Sequence, residues 1–239
     1  DRETGENIAG ALFGLFKAEE KELSEKTAIL TAESNDEGIF EFTDVPYGEY
    51  IIRELKPAEG YLPNEENYQA TVSEDEEVIE ITVKNDKIPE LKTTASIDGK
   101  KEVGATEVFT LEDVVEYKHL VPGKEYTVKG ILMDKTTGEP LLIDEKEIPS
   151  ETTFTPDEPS GEVLVSFEFD ARYIKKDTDI VVFESLYSKD KELAVHADIE
   201  DVGQTVTVKI PKIGTKASID GKKKFTANGD ITIDDVRQQ

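Results

Sequence analysis

At 239 residues the chain is long enough to bury one or two hydrophobic cores. Its 54 acidic against 28 basic side chains leave a net charge of −26, which excludes a counterion-displacing nucleic-acid surface and disfavours an anionic membrane. It holds no Cys, so disulfides, thiolate chemistry and Cys-ligated zinc are excluded as well.

The acidity is spread along the chain: residues 1–88 alone carry 23 acids against 8 bases. Such a surface repels itself and favours solubility. The clusters NDEG (35–38) and SEDEEVIE (73–80) lack the alternating Asp/Asn loop and closing Glu of a calcium site, so no metal is expected. No apolar run approaches a membrane span and no signal peptide opens the chain. The sequence begins and ends abruptly, as an excerpt would, and its targeting signals are expected to lie outside it.

In chain order, the polar stretch KAEEKELSEKTA (17–28) reads as a loop or one short helix. Strands are predicted at GIFEFTDV (38–45), YGEYIIREL (47–55), EVIEITVKN (77–85), KEYTVKGILM (124–133), GEVLVSFEFD (161–170), DIVVFESLY (179–187) and QTVTVKI (204–210). These runs are rich in β-branched and aromatic residues, and most alternate apolar with polar. LEDVVEYKHL (111–120) fits either a helix or a strand on periodicity alone. Turn-forming phrases such as PAEGY, VPGKEY and KTTGEP separate the runs. Short strands at this spacing imply an all-β chain of tandem β-sandwiches.

Pro89 interrupts the pattern in NDKIPELK (85–92), and a similar join sits at KIPKIG (209–214). Three units follow: 1–88, 89–210 and a fragment at 211–239. The phrase PELKTTASIDGKK (89–101) returns as PKIGTKASIDGKK (211–223), a period of 122 residues and thus of one domain. The fragment repeats the opening of the second unit without the strands that would close it.

In the first unit, IAGALFGLF, GIFEFTDVPYGEYIIRELKPAEGY and ITVKN together resemble a Cna B-type (SpaA-like) domain of Gram-positive pili and adhesins. The resemblance implies a prealbumin-like sandwich that often carries a Lys–Asn isopeptide bond formed beside an acidic residue. It assigns the acid to Glu54 and the acceptor to Asn85. The Lys is expected just ahead of Asp1, so no bond of that kind is expected within residues 1–88. Read without the resemblance, Glu54 is a surface strand residue and Asn85 a turn residue.

The second unit, through EDVVEYKHLVPGKEYTVKGILMDKTTGE, SGEVLVSFEFD, DIVVFESLY and LAVHADIEDVGQTV, resembles the ester-bond domains of Gram-positive surface proteins with their V-x-F-E signature. That resemblance implies a Thr near the domain start joined to a Gln on its last strand. Alignment of the two copies of the opening phrase pairs Thr93 with Thr215 and sets Thr94 against Lys216, so the nucleophile is Thr93. The acceptor is Gln204, His196 the proton shuttle, and Glu184 with Asp113 an acidic pair. The chemistry suits these types. A Thr hydroxyl needs a base, an amide needs an acid to steady its oxyanion, and two adjacent carboxyls cannot both ionise cheaply. Taken singly, Thr93 is an ordinary strand residue, Gln204 a polar one, His196 structural, and Glu184 an exposed residue on an edge. Only the five together point to chemistry. His119 has no partner and reads as a loop residue. Thr215 and Asp235 are the unpaired equivalents of Thr93 and Asp113 in the fragment.

These resemblances imply a stalk segment of a cell-wall-anchored surface adhesin. It would be extracellular and monomeric, need no cofactor, and be flanked by neighbouring repeats, with a host surface ligand held by other domains. One rival is a binding module for a host matrix protein or glycan, the latter disfavoured by the absence of Trp. The other is a turnover hydrolase using Thr93, His196 and an acid, which requires an open pocket.

Overall fold

The computed structural model describes residues 1–74 and 78–212. Nearly all of the fragment at 211–239, with Thr215 and Asp235, lies outside the described residues, as does the centre of the acidic cluster at 73–80. The described chain is all-β, with one 3-10 turn at Ala171–Tyr173. No helix among the described residues is long and apolar enough to cross a membrane.

The first unit holds β1 (Leu12–Lys17), β2 (Leu30–Glu33), β3 (Gly48–Lys56) and β4 (Asn67–Val72), ordered β2-β1-β3-β4 in one antiparallel sheet. Its inner face buries Phe13, Leu15, Tyr50 and Ile52. Over that face lie two of the predicted strands, 38–45 and 78–85, which form no ladder in the structure. They still contribute side chains to the core. The Phe40 ring stacks on Phe13 at 3.9 Å, and Phe42, Ile81 and Val83 join the same cluster. Their alternation therefore reports a buried face without a paired edge, because side-chain periodicity carries no information about hydrogen-bonding neighbours. Of the stretch 17–28, Lys17 ends β1 and the rest is loop and turn, with no helix.

The second unit holds β5 (Glu90–Ile97), β6 (Glu102–Gly104), β7 (Val108–Lys118), β8 (Tyr126–Asp134), β9 (Glu139–Pro140), β10 (Leu142–Ile143), β11 (Lys146–Glu147), β12 (Pro149–Phe154), β13 (Gly161–Asp170), β14 (Thr178–Ser188), β15 (Lys191–His196) and β16 (Thr205–Lys209). Three strands, β13-β7-β5, make one sheet. Facing it is a sheet of order β12-β8-β14-β16-β6, with β15 beside β14 and β9 beside β8. Residues 111–118, ambiguous by periodicity, belong to strand β7: Leu111, Asp113, Val115 and Tyr117 all point inward at a spacing of two.

His119 ends that strand in a left-handed bend, φ 63°, and is a loop residue. It has a partner, contrary to expectation, because its Nδ1 lies 2.7 Å from Glu3 Oε2 in the first unit. A contact of 116 residues' separation leaves no trace in local sequence.

Gly130 on β8 stands opposite Glu184 of β14, and a Cβ there would sit 2.6 Å from Phe167 Cζ. The missing side chain is the space that the Phe167 ring occupies. Gly130→Ala is expected to destabilise the second unit by about 1–3 kcal/mol through overpacking, and Phe167→Leu should restore part of the loss. Denaturant midpoints of the single and double variants measure both effects.

Candidate functional site

The site lies between the two sheets of the second unit and is built from residues that continue the inward series of their strands. On β5, Thr93, Ala95 and Ile97 face the core while Thr94 is exposed. Asp113 takes its inward turn on β7, opposite Ala95. On β14 the series is Ile180, Val182, Glu184 and Leu186. Gln204 precedes Val206 and Val208 of β16. Strand geometry thus places polar side chains where apolar ones would be ordinary. Thr93 is 3% exposed, Asp113 0%, Glu184 1% and Gln204 0%.

The four are connected in pairs across the gap. Thr93 Oγ1 donates to Glu184 Oε2 at 3.4 Å, and Gln204 Nε2 donates to Asp113 Oδ1 at 3.4 Å. The remaining oxygens, Asp113 Oδ2, Glu184 Oε1 and Gln204 Oε1, receive no donor from the rest of the described protein. The two carboxyls adjoin, so a proton on one is shared with the other, and Gln204 Oε1 is the acceptor left open at a cost in stability.

Burial, and then the adjoining Asp113 carboxyl, push Glu184 up to about 11. Burial raises Asp113 as well, opposed by Glu184, His196, Gln204 and Lys101. The pair cannot ionise together, and Glu184 holds the proton at neutral pH. A neutral carboxyl thus faces the Thr93 hydroxyl, while the Gln204 amide is held by the more acidic partner.

His196 ends β15 directly across from Glu184 and is half-buried. Its Nε2 lies 2.9 Å from Asp201 Oδ2. Burial alone would raise the Asp201 carboxyl, but bonds from His196 and from the Gly203 N–H outweigh it and hold it below the ordinary value. Asp201 therefore orients the imidazole and, through Oδ1 at 2.6 Å from Gly203 N, the backbone leading into Gln204. The sequence reading missed it. Its signal is the five-residue spacing from His196 in HADIEDVGQ, which an eye set on strands passes over.

The structure also brings together the two residues singled out in the first unit. Asn85 Nδ2 donates to Glu54 Oε1, and Glu54 Oε2 accepts from Asn64 N at 2.7 Å. Both are in the core, Glu54 6% and Asn85 4% exposed, so neither is the surface or turn residue that its neighbours in sequence suggest. Arg2 N donates to the Asn85 carbonyl at 3.0 Å and lays the chain start beside this pair. Among the described residues no cluster of His, Asp and Glu is arranged to hold a metal.

A family model described as a T-Q ester bond containing domain matches residues 89–208, and one described as the SpaA prealbumin-like fold domain matches residues 1–87. No curated protein matches the chain. Among solved structures, the chain is similar to a bacterial adhesin from Mobiluncus mulieris containing intramolecular disulfide, isopeptide and ester bond cross-links. The identity is 18% and the TM-score 0.47, over 54% of this chain and 59% of that one. The chain therefore spans less than two thirds of that adhesin. It is also similar to BcpA, the major pilin subunit of Bacillus cereus, at 17% identity and TM-score 0.41, over 86% of this chain and 64% of that one. A third likeness is to the major pilin SpaD of Corynebacterium diphtheriae, at 13% identity and TM-score 0.35, over 89% of this chain and 67% of that one.

Two outcomes follow from the buried acids. A carboxyl raised only in the folded state contributes stability that is full below the ordinary glutamate value of 4.5 and is lost as pH climbs toward about 11. With Thr93→Val in both chains, melting temperature should fall over that range, and Glu184→Gln should flatten the fall. In the first unit, Asn85→Ala strips Glu54 Oε1 of its donor and should cost about 1–3 kcal/mol in chemical denaturation.

Proposed function

The chain belongs to the T-Q ester bond containing domain family through residues 89–208, with a SpaA-type prealbumin-like domain ahead of it, and on that premise we propose that Thr93 and Gln204 become joined by an intramolecular ester. The observation that carries the reading is the buried constellation itself. Thr93, Gln204 and two adjoining carboxyls are sealed between the sheets, with His196 and Asp201 at the rim.

The reaction balances within the chain. Thr93 Oγ1 attacks the side-chain carbonyl carbon of Gln204, and His196 accepts the hydroxyl proton. Asp201 holds the imidazole for that exchange. The oxygen of Gln204 gathers negative charge in the tetrahedral stage and is steadied by the proton of Glu184, donated as a hydrogen bond. His196 then passes its proton to the amide nitrogen, the C–N bond breaks, and ammonia leaves. The new C–O bond remains, and the dry surroundings that raise Glu184 also keep water from hydrolysing it.

The same burial favours a single turnover over a hydrolase. With Thr93, Glu184 and Gln204 all at 3% exposure or less, no outside substrate reaches the hydroxyl. The product ties β5, the first strand of the unit, to the residue immediately before its last strand, β16. A covalent tie across that length of chain contributes about 4–5 kcal/mol by the loop-entropy argument used for disulfides. It also blocks unravelling from either end. We read the chain as a stalk segment of a cell-wall-anchored surface adhesin or pilin. It is extracellular, monomeric and continued by neighbouring repeats, with domain limits at 1–88 and 89–210.

The intact mass of the denatured chain tests this. A deficit of one ammonia, absent from Thr93→Ala and from Gln204→Ala, is the expected result. Both variants should also melt lower and be digested faster by protease. A parent mass equal to that calculated from the sequence would overturn the ester.

A further inference from the structure

The phrase repeated at 95–101 and 217–223, ASIDGKK, runs well past the reactive Thr, and Thr93 does not account for its end. Asp98 and Gly99, with φ 50° and 71°, form the two-residue turn that a tight hairpin demands. Ile97 and Lys100 close it through reciprocal backbone bonds of 3.0 and 2.9 Å. The chain doubles back at once, and Lys101 comes to lie alongside β5.

Lys101 is fixed at its backbone by Thr207 of β16, whose N–H donates to the Lys101 carbonyl at 2.8 Å. Its Nζ donates to two carbonyls, those of Ala95 and Gly203. Ala95 is the next inward residue after Thr93, and Gly203 immediately precedes Gln204. Ala95 N also donates to Gly203 O at 3.0 Å, so the Gly203 carbonyl takes two donors. There is no room to spare at this junction, since a Cβ on Gly203 would stand 3.0 Å from Asp201 Oδ1 and 3.5 Å from the Thr93 carbonyl.

We propose that Lys101 is a positioning residue for the Thr93–Gln204 reaction: its ammonium fastens the peptide of Ala95 to that of Gly203 and so sets hydroxyl and carboxamide against each other before the bond forms. The inference rests on the ester reading above. It accounts for the far end of the repeated phrase, which carries the Thr, the hairpin turn and the Lys as one unit.

The charge of Lys101 has a second effect at the same place. Although the side chain as a whole is exposed, its ammonium end is partly desolvated, which lowers it, while Asp113 and Asp201 draw it back up. Lys101 in turn favours the ionised form of Asp113. That leaves the proton of the carboxyl pair on Glu184, where the oxyanion needs it.

The test follows the loss of ammonia with time, by intact mass of quenched aliquots of the full chain made by cell-free synthesis. Lys101→Met and Lys101→Gln should each slow the loss by roughly 10- to 100-fold, the scale of a small misplacement of reacting groups. Lys101→Arg, which can still reach two carbonyls, should recover most of the rate, and Lys100→Met should match the parent. The pH profile of the rate should shift in Lys101→Met and not in Lys100→Met, a change that a merely structural role does not produce. Melting of Thr93→Val with and without Lys101→Gln separates folding from chemistry, and similar values are expected. A parent rate in Lys101→Met or Lys101→Gln, or an unaltered pH profile, would overturn the inference and leave the ester reading intact. So would a Thr93→Val chain that no longer folds once Lys101→Gln is added. A parent that keeps its ammonia would overturn both.

Discussion

Two carboxyl groups share one dry space between the sheets of the second unit, and most of the site follows from that constraint. Neither Asp113 nor Glu184 can be placed in the core as an ordinary ion, and both cannot ionise side by side. One must keep a proton, and the asymmetry of their surroundings decides which. Asp113 has Gln204 as a donor and the ammonium of Lys101 and the imidazole of His196 within electrostatic reach. Glu184 has a hydroxyl and the neighbouring acid. A neutral carboxyl able to donate a hydrogen bond is thereby held at neutral pH, in a space made by strand alternation.

The cost of that arrangement is visible in the desolvated carboxyls of Asp113 and Glu184 and in the open Gln204 Oε1. A core made of aliphatic side chains at these positions would be the more stable one before reaction. The fold tolerates the loss because the surrounding layers are well filled. Phe167 packs into the space left by Gly130, and Val115, Val128, Leu132 and Ile180 are fully buried around it. The proposed ester would set about 4–5 kcal/mol of loop entropy against that cost, at the two ends of the unit.

The first unit uses the same vocabulary in a simpler form. One buried acid, Glu54, meets one carboxamide, Asn85, and a backbone N–H from Asn64 takes the second carboxyl oxygen. All of the acid's acceptors are satisfied there. In the second unit the two acids adjoin each other instead, and Gln204 Oε1 has no donor. Both units place the carboxamide near their C-terminal end and the acid on a strand inside the sheet, which lets a late segment close on an early one.

Much of this was legible from residues alone. The alternation in GEVLVSFEFD coincides with β13 from end to end, whereas Glu184 of DIVVFESLY, read singly as an exposed edge residue, is buried on an inner strand. The internal repeat chose Thr93 over Thr94, and the structure turns Thr93 inward and Thr94 outward. Local alternation could not tell a laddered strand from the segments at 38–45 and 78–85 that form no ladder, because it records only which face is buried. It also left Lys101, Asp201 and the Glu3 partner of His119 unseen, since each acts through a contact set by strand order and hairpin geometry. By itself the sequence determined the β class, the turns, and which polar residues stand in inward positions, all of which depend on a period of two along one strand. Only the tertiary structure decided that β5 and β7 in one sheet face β14 and β16 in the other, so that four such residues meet. Their protonation depends on that meeting, because desolvation and the charge of a neighbour are properties of the assembled core.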